Sequence, residues 1–224
     1  MIHFNKNFFL IVIPFIKNSE LKTFRNNYSQ IKGKVNDFHF DHSINKRAIF
    51  YNNLTNWTSP ILFHVDSSLS YYRHIISSVV RGLSLVSCLK FEESRTSIEG
   101  RIGIVFKYHH SSCFSTVGRD PSVKNSLVYF TYNCAENYGY IIHELLHVLG
   151  LRHEHTRFDR DHFITINDDN VRDNEEVKKN IHEKDQNDSV ITHEDIPYDY
   201  GSILHYPRYA FIKWPGYETD GRYN

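Results

Sequence analysis

Apolar residues recur along the chain in two spacings, one typical of helices and one typical of strands. Between Asp66 and Phe91 they fall three or four residues apart, at Leu69, Tyr72, Ile76, Val79, Val80 and Leu83. This spacing predicts a helix with one buried face, capped at its start by Asp66. Short runs rich in β-branched and aromatic residues predict three strands, at Ser59–Val65, Arg101–Tyr108 and Ser126–Asn133.

A second helix is predicted between Tyr138 and Leu151, with its regular part beginning at Tyr140. This stretch has helix formers and an apolar face, and Gly150 is well placed to end it. From Asp168 to Asp195 the chain is charged and aperiodic, so only short helices are expected there. Strands and helices in a chain of 224 residues predict a single domain with a real core.

The charge balance argues against nucleic acid as a partner. The chain has 26 Lys+Arg and 26 Asp+Glu, without a basic patch interleaved with aromatics. Residues 1–47 hold eight of the basic and three of the acidic residues, so residues 48–224 hold 18 basic and 23 acidic ones. This small acidic excess is typical of a solvated surface.

The first residues resemble a leader for secretion. Lys6 precedes an apolar run from Phe8 to Ile16, which has the length of a signal-peptide core and is too short to span a bilayer. We therefore interpret residues 1–18 as a signal peptide. The alternative is a buried strand, because a cleavage site with small residues is missing. No other run is long and apolar enough for a membrane span.

Residues 19–47 are polar, lack a sustained apolar period and end in the basic pair Lys46-Arg47, so we interpret them as a propeptide. Four N-x-[ST] triplets agree weakly with secretion and glycosylation, at Asn27, Asn53, Asn56 and Asn187.

The chain has three cysteines, Cys88, Cys113 and Cys134. In an oxidising compartment at least one of them lacks a partner within this chain.

The strongest chemical signal is the stretch HELLHVLGLRH. His143 and His147 are four residues apart, so a helix projects both imidazoles from one face. The turn permitted by Gly150 can bring His153 to the same ion, which gives three nitrogen ligands and an open position for water. Glu144 lies beside this site and is the candidate base that takes a proton from that water.

These residues resemble the zinc signature of the metzincins, and Glu154 after the third histidine is similar to the astacin family. The continuation HEHTRFDRDHFITIN, the segment PYDYGSILHY and the cysteine contexts CLKF, CFSTVGR and NC resemble that family as well. The resemblance runs from about Ala48 to the C-terminus. It implies an α+β, two-lobed zincin-like domain with a mixed twisted sheet, a long helix in the N-terminal lobe and a zinc-binding helix.

The resemblance also implies roles for single residues. His143, His147 and His153 would bind one Zn²⁺, and Glu144 would act as general base and acid. Tyr206 would ligate zinc at rest and swing to stabilise the oxyanion. Cleavage after Arg47 would free Ala48, whose ammonium would insert toward Glu154. For Glu154, the alternative is an ordinary surface acid.

Three features depart from the family pattern. Leu204 stands where the family's Met-turn has methionine, a swap expected to soften the floor of the zinc site rather than abolish it. No clear copy of the family's zinc-blocking propeptide motif appears, although Asp37 or Asp41 could substitute. The resemblance pairs Cys113 with Cys134 and leaves Cys88 to a cysteine beyond residue 224, so we expect the C-terminal end of the peptidase domain (48–224) to be missing.

The sequence therefore predicts a secreted zinc endopeptidase that hydrolyses proteins or peptides. Neither nucleic acid nor membrane is an expected partner. Substrate would pair with an edge strand of the sheet, for which Ser126–Asn133 is the candidate. Two alternatives remain: an inactive secreted copy that only binds, and a peptidase of another metzincin branch, which Glu154 disfavours.

Overall fold

Five strands form one mixed sheet in the N-terminal lobe, which we define as residues 57–151. The structure is a computed structural model that describes residues 57–185 and 197–213. The strands lie in the order β2-β1-β3-β5-β4. All neighbours are parallel except β4, which runs antiparallel to β5. Their bounds are Ile61–Val65 (β1), Phe91–Ser94 (β2), Gly103–Tyr108 (β3), Phe114–Ser115 (β4) and Asn125–Phe130 (β5).

The predicted first helix is present but shorter than expected. The Asp66 carboxylate accepts from the backbone N–H of Ser68 and caps a 3₁₀ turn, after which helix α1 runs over Arg73–Val86. The apolar stripe is buried as predicted, apart from the half-buried Tyr72. The expected end at Phe91 is wrong, because Ser87 is extended and Phe91 begins β2. This strand reads FEES and has no apolar pattern, so only its pairing with β1 reveals it.

The expected edge strand is also wrong. Strand β5 lies between β3 and β4, so the edge on this side of the sheet is the two-residue strand β4. The reason is that the segment after β3 turns back alongside β5, where Phe114 pairs with Tyr129 and Ser115 with Val128. The predicted strand also extends too far, since α2 (Tyr132–Glu136) begins at Tyr132.

The core of the N-terminal lobe lies between the sheet and two helices. Side chains from β1, β3 and β5 pack with α1 and with α3, which runs over Tyr138–Val148. At its centre Phe106 stacks on Phe130, with ring centroids 6.0 Å apart. Helix α3 begins at Tyr138 rather than Tyr140, because the Asn137 side chain accepts from the Gly139 N–H and caps the helix earlier.

The C-terminal lobe, the described residues from 152 onward, contains short elements only. Three 3₁₀ turns are followed by helix α4, in agreement with the aperiodic sequence; their bounds are Glu154–Thr156, Arg160–His162, Asp168–Asn170 and Glu175–His182 (α4). Within the described ranges, no helix has the length and apolar character needed to cross a membrane. The predicted signal peptide and propeptide lie outside the described residues.

Candidate metal centre

Helix α3 carries the first two histidines of the site. His143 and His147 lie one helical turn apart, so their rings project from one side of the helix, where they meet edge to face. The two Nε2 atoms are 3.1 Å apart. Glu144 follows His143 on the same helix, and only 6% of its surface is exposed. One helix turn therefore supplies two imidazoles and a buried carboxylate.

The end of α3 brings the third histidine to the same point. Gly150 has φ 104°, a left-handed conformation that glycine adopts without the steric cost of a side chain. Its N–H donates to the His147 carbonyl, and the Leu151 N–H donates to the Leu146 carbonyl. This pair of bonds is a Schellman motif, which ends the helix and reverses the chain. As a result, His153 Nε2 lies 3.2 Å from His147 Nε2.

Hydrogen bonds set the tautomers of the two helical histidines. The Nδ1 atom of His143 lies 2.8 Å from the Ile203 carbonyl, and that of His147 lies 2.8 Å from the Leu151 carbonyl. A carbonyl oxygen only accepts, so each Nδ1 carries the proton and each Nε2 keeps its lone pair. Such outer bonds orient the histidine ligands of metals in proteins.

The donor set fits zinc. The three Nε2 atoms converge, and the ligand atoms all lie within 4.8 Å of one another. Zn–N distances of about 2.0–2.1 Å in a tetrahedral site place ligand nitrogens roughly 3.3 Å apart, close to the 3.1 and 3.2 Å found here. His143, His147 and His153 are thus brought together as the sequence predicted, and their role as zinc ligands stays a prediction.

Burial keeps these imidazoles neutral, as metal ligands must be. Burial, together with the neighbouring imidazoles and Arg152, lowers the pKa of His147 to about 4 and that of His153 to about 2. Burial also lowers the pKa of His143. At neutral pH all three rings therefore offer lone pairs rather than positive charge.

Glu144 is buried beside the site with one side-chain partner. Its Oε2 atom accepts a hydrogen bond of 2.8 Å from the hydroxyl of Ser115. Burial raises the pKa of Glu144 to about 7, and the bond from Ser115 acts in the opposite direction. A carboxyl group with a pKa near neutrality can both take up and return a proton. Ser115 was not singled out from the sequence, although it lies in the CFSTVGR segment.

Tyr206 lies beside the third histidine. Its ring centroid is 4.6 Å from that of His153 and 4.0 Å from that of His155, on which it stacks. The segment that carries Tyr206 also supplies the Ile203 carbonyl bound by His143 and the buried Leu204. The Met-turn position, occupied here by leucine, is therefore part of the apolar core. The role of Tyr206 stays a prediction.

Glu154 is not an ordinary surface acid. Its side chain is 12% exposed, and its Oε1 atom accepts from Arg157 at 3.0 Å and from the Asp199 N–H at 2.9 Å. It thus ties the chain after His153 to the segment before Tyr206. The predicted partner of Glu154, the ammonium of Ala48, lies outside the described residues.

The buried Arg157 is a second feature that sequence analysis missed. Its guanidinium binds Asp159 through two bonds of 2.9 and 2.8 Å, in addition to Glu154. The stretch ExxRxD carries the only sequence signal, an arginine between two acids, which is also common on surfaces.

Among the cysteines, Cys113 and Cys134 form a disulfide, whereas Cys88 is free.

Known proteins are similar to this chain in sequence and in fold. The family model described as Astacin, a family of peptidases, matches residues 50–219. The zinc metalloproteinase dpy-31 of Caenorhabditis elegans is 33% identical over 181 residues, which are 80% of this chain and 29% of that protein. Meprin A subunit beta of Rattus norvegicus is 33% identical over 156 residues, 69% of this chain and 21% of that protein.

A solved structure has a similar fold. High choriolytic enzyme 1, a hatching enzyme zinc-protease from Oryzias latipes, superposes with a TM-score of 0.61 at 25% identity. The match covers 74% of this chain and 80% of that one. By contrast, the chain spans only about three tenths of the length of the first curated relatives.

The mixed sheet, the histidine-bearing helix and the Schellman turn to a third histidine define a metzincin-like α+β domain. The extent of the sequence match makes the assignment narrower: the chain belongs to the astacin family of peptidases.

Proposed function

We propose that this protein is a secreted zinc endopeptidase that hydrolyses peptide bonds in proteins. The observation that carries the proposal is the buried Glu144 carboxylate beside three convergent imidazole nitrogens. Buried ionisable groups cluster where chemistry needs shifted pKa values. The hatching enzyme and the dpy-31 proteinase are zinc proteases by name, which supports the same activity here.

His143, His147 and His153 would hold the zinc ion. When bound, zinc supplies Lewis acidity, which polarises a peptide carbonyl and makes a nearby water more acidic. Glu144 takes the proton of the attacking water as the new C–O bond forms, and it returns that proton to the amine nitrogen as the C–N bond breaks. No covalent enzyme intermediate forms. Tyr206 donates a hydrogen bond to the carbonyl oxygen as negative charge develops there.

Secretion and activation by cleavage belong to the same proposal. The Cys113–Cys134 disulfide supports an oxidising compartment, and the N-terminal pattern supports a signal peptide over residues 1–18 and a propeptide over residues 19–47. In this scheme the mature chain begins at Ala48, and glycans occupy some of the four triplets. N-terminal sequencing of the protein secreted by expressing cells tests it: a secreted active form that begins elsewhere contradicts the proposed boundary.

The full chain is expressed and secreted, its propeptide is removed, and the processed protein is tested by measuring zinc per molecule and cleavage of a denatured protein with and without a chelator. The substitution Glu144→Gln should keep zinc and lower kcat by about 100-fold to 10,000-fold, because the base is lost. Its matched control is Glu176→Gln on the exposed side of α4, which should behave like the parent. Bound zinc without cleavage by the parent would establish the inactive binding copy instead.

A further inference from the structure

Strand β4 contacts helix α3 directly, through a serine that has no role in the mechanism proposed above. The hydroxyl of Ser115 donates to Glu144 Oε2 at 2.8 Å and lies 3.1 Å from the Glu144 backbone carbonyl. Within the described part of the chain, Ser115 is the only hydrogen-bond donor to this carboxylate. A second bond, from the Gly118 N–H to the His147 carbonyl at 2.8 Å, fixes the same segment one turn further along α3.

The register of β4 decides which side chain faces the helix. Phe114 pairs with Tyr129 and stacks on its ring, with centroids 4.8 Å apart. Ser115 pairs with Val128, whose side chain is fully buried. Successive residues of a strand point to opposite faces, so a slip of one residue would bring the phenyl ring of Phe114 to the carboxylate instead.

The surroundings of β4 hold this register. Cys113, which directly precedes the strand, is bonded to Cys134, and the Thr116 N–H donates to the Leu127 carbonyl just after it. The hydroxyl of Ser115 is therefore fixed from both sides. Bound at Oε2, the carboxylate of Glu144 cannot rotate freely, and its Oε1 atom is left for proton transfer.

We propose that Ser115 is a positioning residue that orients the Glu144 carboxylate for its reaction. The proposal rests on the proposed peptidase function, because Glu144 is the base in that function. Without the hydroxyl, the buried carboxylate loses the one donor that the described residues give it, and it reorients. The alternative is that Ser115 only fastens β4 to the backbone of α3, which would affect stability and leave turnover unchanged.

Steady-state kinetics of Ser115→Ala separate these roles. We expect kcat to fall about 10-fold to 100-fold with KM changed less than about twofold and zinc content unchanged. Ser115→Thr retains a hydroxyl on the strand and should recover most of the lost kcat. The matched control is Ser122→Ala, which removes a serine–carboxylate bond of 2.6 Å to Asp120 in the same connection between β4 and β5 but at an exposed site.

A second readout does not depend on activity. Unfolding of the metal-free parent, of Ser115→Ala, of Glu144→Ala and of the double variant forms a cycle, and we expect the two substitutions to be non-additive. A parent-like kcat for Ser115→Ala, a loss of kcat that follows zinc loss, or additive effects in the cycle would each overturn the proposal. Absence of cleavage by the parent is a different result, since it contradicts the peptidase function itself.

Discussion

The two lobes of this protein are stabilised by different kinds of contact. In the N-terminal lobe, regular strands and helices bury an aliphatic and aromatic core. The described C-terminal lobe contributes Leu204 to that core and buries Val171 and Tyr198 outside it, but most of its buried residues are polar or charged, namely His155, Thr156, Arg157, Arg160 and Asp185. Apolar burial is non-directional, whereas a buried ion must be matched by its partners.

The candidate metal site lies where these lobes meet. His143 and His147 come from the regular helix of the N-terminal lobe, while His153 and Tyr206 come from the irregular C-terminal lobe. The C-terminal lobe therefore holds these two side chains in place without regular helices or strands around them. Arg157 joins Glu154, next to His153, to Asp159 and to the Pro197 carbonyl. Charged hydrogen bonds there replace the regular backbone ladder of a sheet.

The largest expected effect comes from removing the central cation of the C-terminal lobe. The substitution Arg157→Leu should lower the free energy of unfolding by about 3–5 kcal/mol, because the largely buried Glu154 and Asp159 lose their counter-charge. Denaturant unfolding measures this. The control Arg81→Leu breaks an ion pair whose arginine side chain is 63% exposed and should cost about 1 kcal/mol or less. An equal fall in the free energy of unfolding for both variants would show that the buried charges do not stabilise the C-terminal lobe in this way.

Zinc removal should affect the C-terminal lobe more than the N-terminal lobe. Zinc at 100 times its dissociation constant stabilises the folded protein by about 2.7 kcal/mol, and a chelator removes this. Amide hydrogen exchange measures where the protection is lost. We expect faster exchange around His153 and Tyr206, with little change in α1. An equal loss of exchange protection in both lobes would show that zinc does not stabilise the C-terminal lobe in particular.

Acid should weaken the C-terminal lobe through His155. Burial lowers the pKa of His155 to about 4, from 6.5. Between these values the unfolded chain binds a proton that the folded protein does not, so the stability from His155 is full above pH 6.5 and falls with the pH. Glu144 has a raised pKa and acts in the opposite direction. Between pH 8 and pH 5, the free energy of unfolding of the metal-free parent should therefore fall by about 2 kcal/mol more than that of the metal-free His155→Phe variant. Denaturant unfolding at the two pH values measures this.

The smallest effect is expected at the Met-turn position. Leu204 is buried among the apolar residues that reach across both lobes, and leucine and methionine have similar volumes. The substitution Leu204→Met should change the free energy of unfolding by less than about 1.5 kcal/mol. Zinc titration and denaturant unfolding measure the outcome together. A gain in zinc affinity without a change in stability would show that leucine costs the site more than the packing indicates.

The elements that follow from local pattern were predicted well. The stripe of α1, the strands β1 and β3 and the turn at Gly150 depend on residues close together in sequence. Strand β2 could not be predicted, because FEES is strand-forming only beside β1. The position of β5 inside the sheet was missed for a similar reason: pairing by the two-residue β4 covers its edge.

By itself the sequence determined that three imidazoles converge, because the spacing of His143, His147 and His153 follows from helix geometry and one glycine turn. The tertiary structure alone decided what surrounds those groups. Ser115 reaches Glu144 across 29 residues of sequence, and Arg157 reaches the Pro197 carbonyl across 40. Burial and partners of this kind arise from long-range packing, and they set the pKa, the tautomer and the orientation of each side chain.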